Sequence, residues 1–140
     1  NDYGTDVSIG RYDAMNGLFL KGDGKGNFTP RTILESGIYI PGNGKALVML
    51  QSAGNKCLLA ASQNKGPLKI FELKKSDSIL RFLPDDISAR VEYRNGTVQK
   101  REINYGASFL SQSARFIILN KEIKKIEIIN NKGQKRQINL

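Results

Sequence analysis

Glycine, asparagine and aspartate interrupt this chain so regularly that the segments between them are short. Gly22, Gly24 and Gly26, then Asn43-Gly44, Asn64-Lys65-Gly66, Asn95-Gly96 and Asn131-Lys132-Gly133 all fall where turns are expected. Glycine tolerates positive φ, and Asn and Asp bond their own backbone, so these clusters punctuate rather than extend. The runs between them read as strands over residues 7–9, 17–21, 46–51, 56–62, 68–73, 88–94, 98–105, 115–119 and 125–130. Several alternate with period two: Val91 and Tyr93 against Glu92 and Arg94, and Ile126 and Ile128 against Glu127. Such alternation marks strands with one buried face. Asn95-Gly96 predicts a two-residue hairpin with both central residues at positive φ. Residues 76–83 read as a short turn or helix before Pro84. No long segment has the 3.6-residue period of a helix. The fold class is therefore all-β, with short strands at about ten-residue spacing, as in sandwiches, barrels and propellers.

Of the 140 residues, 39% are hydrophobic and 25% charged, which allows a modest core and argues against disorder. No apolar run approaches the roughly 18 residues of a membrane-spanning helix. The chain has no histidine and one cysteine. That composition removes most zinc sites, any internal disulfide and every nucleophile activated by histidine. Cys57, within Lys-Cys-Leu-Leu-Ala-Ala, reads as a small buried hydrophobe. The net charge of +9 is uneven: residues 1–73 hold eight Lys/Arg against six Asp/Glu, residues 74–140 fourteen against seven. A basic half suits an acidic partner, or lysines that solvate strand faces and blunt sheet edges. The composition shifts near Lys74-Lys75-Ser76-Asp77, which places a boundary between segments 1–73 and 74–140. The chain opens at Asn1 without methionine and reads as a piece of a longer protein.

Two motif sets add a resemblance. Gly22-Asp23-Gly24-Lys25-Gly26-Asn27-Phe28-Thr29-Pro30 follows the apolar run Leu18-Phe19-Leu20. It resembles the hairpin near the end of an FG-GAP repeat, the blade unit of integrin-type β-propellers. Residues 10–17 look like the middle of such a blade. Residues 46–50, 57–61 and 68–71 look like the inner strands of a second, degenerate blade, with Asn64-Lys65-Gly66-Pro67 as a turn. The family's calcium loop is rich in Asp. The matching stretch here, Ile40-Pro41-Gly42-Asn43-Gly44-Lys45-Ala46, keeps the glycines and has no Asp. Oxygen donors for a hard cation are thus missing, and no metal is expected. Asp23 alone offers too few ligands and reads as a plain turn.

The second set is Tyr105-Gly106-Ala107-Ser108-Phe109-Leu110-Ser111-Gln112-Ser113, preceded by Arg90-Val91-Glu92-Tyr93 and Val98-Gln99-Lys100-Arg101-Glu102. It is similar to the Gly-x-Ser-x-Leu-Ser-Gln-Ser turn of ASPIC/UnbV domains, which commonly sit C-terminal to FG-GAP/VCBS repeats. The later segment departs from that pattern, with Asn130 and Asn131 where Trp and Pro are usual. The resemblance implies a propeller-blade-like segment over 1–73 and a small, sandwich-like antiparallel β-module over 74–140. It implies an extracytoplasmic protein: secreted, periplasmic or on the cell surface.

Ser108, Ser111, Gln112 and Ser113 are the candidate ligand-binding residues, because hydroxyls and an amide hydrogen-bond a sugar or peptide. The same groups also make turns. Ser62-Gln63-Asn64-Lys65 matches Ser-x-x-Lys by letter, without the companion motifs of that chemistry. The carboxylates Asp85, Asp86, Glu92 and Glu102 show no pairing logic for a glycosidase. Tyr3, Tyr12, Tyr39, Tyr93 and Tyr105 read as a sugar-stacking set or as cross-strand partners. The expected function is a non-catalytic binding or scaffold segment with a protein or glycan partner and no cofactor. Exposed strand edges offer a route to self-association. The alternative is a basic polyanion or nucleic-acid binder, which the sequence does not favour.

Overall fold

The computed structural model describes residues 2, 4–74, 78–106, 108 and 111–140. Among these residues eleven strands and one short helix follow in order. They are β1 (Phe19–Gly22), β2 (Phe28–Arg31), α1 (Ile33–Ser36), β3 (Asn43–Gln51), β4 (Cys57–Asn64) and β5 (Lys69–Glu72). Then come β6 (Ser78–Arg81), β7 (Asp86–Tyr93), β8 (Val98–Glu102), β9 (Phe116–Leu119), β10 (Ile123–Asn130) and β11 (Lys135–Asn139). The protein is all-β. All pairings are antiparallel, in four small sheets: β1-β2, β3-β4-β5, β11-β10-β7-β8 and β6-β9. No closed propeller or barrel forms among the described residues.

Alternation sets the main core. Ala89 and Val91 on β7, and Ile126 and Ile128 on β10, turn to one face and are essentially sealed from solvent. Ile126 lies opposite Val91, and Ile128 opposite Ala89. A one-residue slip would turn this entire set outward, so burial pins the register. Ile117 of β9 and Leu80 of β6 pack into the same cluster, with Ile103, Ile123, Phe82 and Leu119. Two sheets thus cover one apolar layer, which makes this part sandwich-like.

The outer face of the four-stranded sheet is charged. Lys125 stands opposite Glu92, Glu127 opposite Arg90, and Arg90 opposite Lys100. Lys124 pairs with Glu92 at 2.7 Å, and Lys135 with Glu127 at 3.3 Å. The edge strands β8 and β11 carry Lys100, Arg101, Lys135 and Arg136, which blunt them against foreign strands. Hydrogen bonding from Lys124, with its charge, holds the Glu92 carboxyl below its ordinary value; Lys135 does the same for Glu127. A carboxyl depressed in the folded state stabilises above its unfolded pKa, about 4.3 for Glu, and that contribution disappears as pH falls through the folded value. Melting temperature at low salt should therefore fall on acidification from pH 6 to 3. The slope should be shallower in the Glu92→Gln/Glu127→Gln variant and in high salt. Identical slopes would show that these pairs contribute nothing.

The three-stranded sheet differs. The strands expected over 46–51, 56–62 and 68–73 appear as β3, β4 and β5. Lys65 takes φ +54° in the predicted turn between the last two. Both faces are apolar: Val48, Leu50, Leu58 and Ile70 on one, Met49, Leu59 and Phe71 on the other. Leu50, Leu68 and Ile70 remain substantially exposed. Sheets apolar on both sides are ordinarily covered on both sides.

Several expectations are corrected. Residues 7–9, read as a strand, form a turn, because the Asp6 carboxylate accepts from Ser8 N (2.8 Å) and Ser8 Oγ (2.6 Å) while its carbonyl accepts from Ile9 N. Residues 78–81, read as turn or helix, are strand β6, because Ile79 and Leu80 pair with Ile118 and Ile117; 76–77 lie outside the described residues. The hairpin at Asn95-Gly96 exists, but its loop has three residues. Tyr93 N bonds Thr97 O at 2.8 Å, and only Gly96 takes positive φ (+84°). Asn95 instead turns its amide oxygen onto Thr97 N at 2.9 Å, as type I turns with a following left-handed glycine permit. Strand β2 completes the hairpin suggested by residues 22–30, whereas strand β11 and helix α1 were unexpected. The signal for α1 was present as the capping box Thr32-Ile33-Leu34-Glu35, closed by Gly37 at φ +69°.

Candidate functional site

The Gly106–Ser113 stretch is a connector. Ala107, Phe109 and Leu110 lie outside the described residues. Ser108 and Ser111 form an isolated backbone bridge, with N···O distances of 3.3 and 3.1 Å. Ser111 is buried, and Gln112 is exposed. The chain then runs along the free edge of β3. Met49 N donates to Ser113 Oγ at 3.0 Å, and Ala114 N donates to Met49 O at 2.7 Å. Ser113 thus stands in for a strand carbonyl and ties residues 111–116 to the N-terminal sheet. The four candidate residues do not converge on one cavity. Ser108 lines a shallow groove with Lys45, Leu47 and Ser62, whereas Gln112 and Ser113 line another.

That second groove holds about 550 Å³ and lies where the two halves of the chain meet. Leu50 and Gln51 come from β3, Arg81 and Phe82 from the end of β6 and just beyond it, and Tyr105, Gln112 and Arg115 from the connector. Among the described residues no carboxylate lines it. Its wall is built by Arg115. This guanidinium donates to Leu83 O (3.1 Å), Pro84 O (3.2 Å) and Asp86 O, and lies 4.1 Å from the centre of the Tyr105 ring. Tyr105 Oη donates to Pro84 O at 2.8 Å. The Leu83–Asp86 turn is clamped from the other side by the Asp86 carboxylate. It accepts from Leu83 N and from Arg136 Nη2, both at 2.7 Å. Arg81 is fixed differently: its Nε donates to Gln51 Oε1, and Gln51 Nε2 donates to Asn55. The terminal nitrogens of Arg81 and the Gln112 amide have no acceptor or donor partner among the described residues.

Other candidates are engaged in structure. The Asp23 carboxylate takes Lys25 N (2.7 Å), Asn27 N (3.2 Å) and Asn27 Nδ2 (2.6 Å), which is the plain turn expected. In the 40–46 loop, Gly42 N donates to Gln63 Oε1 at 2.6 Å, and Gln63 Nε2 donates onward to Pro67 O at 2.7 Å. Ser62 Oγ accepts from Ala46 N. Cys57 is sealed, and burial pushes its thiol up, away from the reactive thiolate. Among the described residues no three acidic, Cys or His side chains gather. Asp85 accepts from Asn130, and Glu102 pairs with Lys100. Glu92 and Glu127 share a shallow groove with Arg90 and Lys125, yet both are pushed in the same direction, below the ordinary range. An acid–base pair needs its two values driven apart. A larger cavity of about 640 Å³ is lined by Ser78, Arg94, Leu119 and Lys121, but the Arg94 guanidinium is occupied by the carbonyls of Lys121 and Leu140.

Of the tyrosines, Tyr93 is a half-buried partner bonded to Gln99, Tyr12 and Tyr39 are exposed elsewhere, Tyr105 lines the groove, and Tyr3 lies outside the described residues. Sequence reading missed Arg81 and Arg115 entirely. An arginine two residues after a candidate Ser-Gln-Ser turn was the available signal. Comparison with known proteins finds no matching family model, no matching curated protein and no matching solved structure.

Proposed function

We propose that this chain is a non-catalytic binding or scaffold segment of an extracytoplasmic repeat protein, and that it engages a protein or glycan through the Arg81–Gln112–Arg115 groove. The observation that carries the reading is the groove itself. It offers guanidinium, amide and phenol groups beside Leu50 and Phe82, with no paired acid and base among the described residues. Concave sites with a few placed polar groups on an apolar floor are the usual form of ligand sites, and they favour junctions between units. The two-faced apolar sheet β3-β4-β5 supports the likeness to FG-GAP blades, whose sheets stack against neighbours on both sides. The Gly106–Ser113 turn supports the likeness to ASPIC/UnbV. A glycan array, a pull-down from native cell surfaces and an anionic-polymer assay test the reading together. Binding in any one that weakens with Gln112→Ala supports it; blanks in all three leave a purely structural role.

The basic C-terminal half favours a second reading, a polyanion or nucleic-acid binder. Affinity for duplex DNA would then fall steeply with salt, because each phosphate contact releases a counterion. A flat salt response rejects it. Several of the cations already pair with carboxylates, within a strand or across strands, which weakens this reading.

A further inference from the structure

Resting on the binding reading above, we infer that the groove takes an acidic glycan, a uronate-bearing oligosaccharide whose carboxylate is met by Arg81. Three features of the groove point there. Arg81 and Arg115 both line it, and no acidic residue does among the described residues. Asp86, in the turn that backs the groove, is buried and already bonded to Arg136 and Leu83 N. Gln51 fixes Arg81 through its Nε, so the terminal nitrogens are held in place without an acceptor among the described residues. Guanidinium presents parallel donors that fit a carboxylate.

The rest of the wall suits sugar. The exposed Gln112 amide donates to and accepts from hydroxyls. Tyr105 is 63% exposed, with its ring held by Arg115, and Leu50 and Phe82 supply apolar surface for C–H faces. An acidic peptide fits less well. Extended peptides bind by adding to a sheet edge, and the β3 edge here is already bonded at Met49 by Ser113 and Ala114. Nucleic acid fits least, since a pocket of about 550 Å³ is ligand-sized and does not follow a run of phosphates.

The test uses the full 140-residue chain, labelled with ¹⁵N. It is titrated with a galacturonate oligomer, its methyl ester, a neutral galactose oligomer of equal length, and poly-glutamate. The galacturonate oligomer should bind and shift Gln112, Ser113 and Tyr105 amides. The methyl ester should bind at least about tenfold more weakly, as loss of a charge-assisted contact requires. Arg81→Gln should weaken the galacturonate complex by a similar factor while leaving the spectrum folded. Equal binding of the neutral oligomer would overturn the acidic class yet leave a glycan-binding groove standing. Stronger binding of poly-glutamate would overturn the glycan class and keep a protein-binding one. Shifts confined to the β7–β10 face, or no binding of galacturonate at all, would overturn the inference. In those cases the array and pull-down above still decide the broader reading.

Discussion

Ile126→Ala should cost about 3–4 kcal/mol, the largest loss of any single truncation in the main core. Ile126 is fully buried, opposite Val91 on one neighbour and Ile138 on the other, at the centre of the four-stranded sheet. Truncation removes transfer free energy and leaves a cavity that rigid cross-strand neighbours cannot collapse into. Net stabilities of domains are about 5–15 kcal/mol, so the loss is a large fraction of the whole. Urea unfolding should show a midpoint lowered by roughly 1–3 M at the usual slope for small domains. Ile70→Ala is the control. Ile70 is 57% exposed on β5, so the same chemical change should cost under about 1 kcal/mol. Equal effects at the two positions would contradict the placement of the core.

Asp86→Ala should cost about 2–3 kcal/mol, and Asp86→Asn roughly half of that. The Asp86 carboxylate is buried and accepts from Leu83 N and Arg136. Alanine leaves the Leu83 N–H without its acceptor at the start of the turn that Arg115 also clamps. Arg136 is 41% exposed and turns to water, which keeps the loss below that of a fully buried pair. Asparagine retains an acceptor for Leu83 N and loses the charge. Because the Leu83–Asp86 turn backs the candidate groove, both variants should also weaken any ligand held there. An unchanged urea midpoint in Asp86→Ala would refute the clamp.

The hairpin at residues 93–97 shows where sequence reading succeeds and where it stops. Asn95-Gly96 located the turn, because only glycine there relieves a left-handed backbone. It did not determine the loop length. Whether Asn95 itself adopts positive φ depends on a competition. Its side chain bonds Thr97 N, and Arg94 N is drawn outward to Glu122 O. Strand β6 was misread for a related reason. Ile79-Leu80 is ambiguous over four residues, and only pairing with Ile117 and Ile118, almost forty positions away, makes it a strand. The candidate groove was half legible. Gln112 and Ser113 stand in it, but Arg81, Tyr105 and Leu50 reach it from separate parts of the chain.

Composition and punctuation alone determined that this chain is built from short antiparallel strands, since period-two runs between glycine turns have no other way to bury one face. They also located Val91, Ile126 and Ile128 on the inner side and Glu92 and Glu127 on the outer. Tertiary structure decided that Ser108 and Gln112 open onto different grooves, that Ser113 serves the β3 edge, and that Arg81 and Arg115 share a wall. Local preference acts over a few residues and sets which way a side chain faces. Convergence depends on which strand lies beside which, and that is fixed by the burial of the whole apolar set at once.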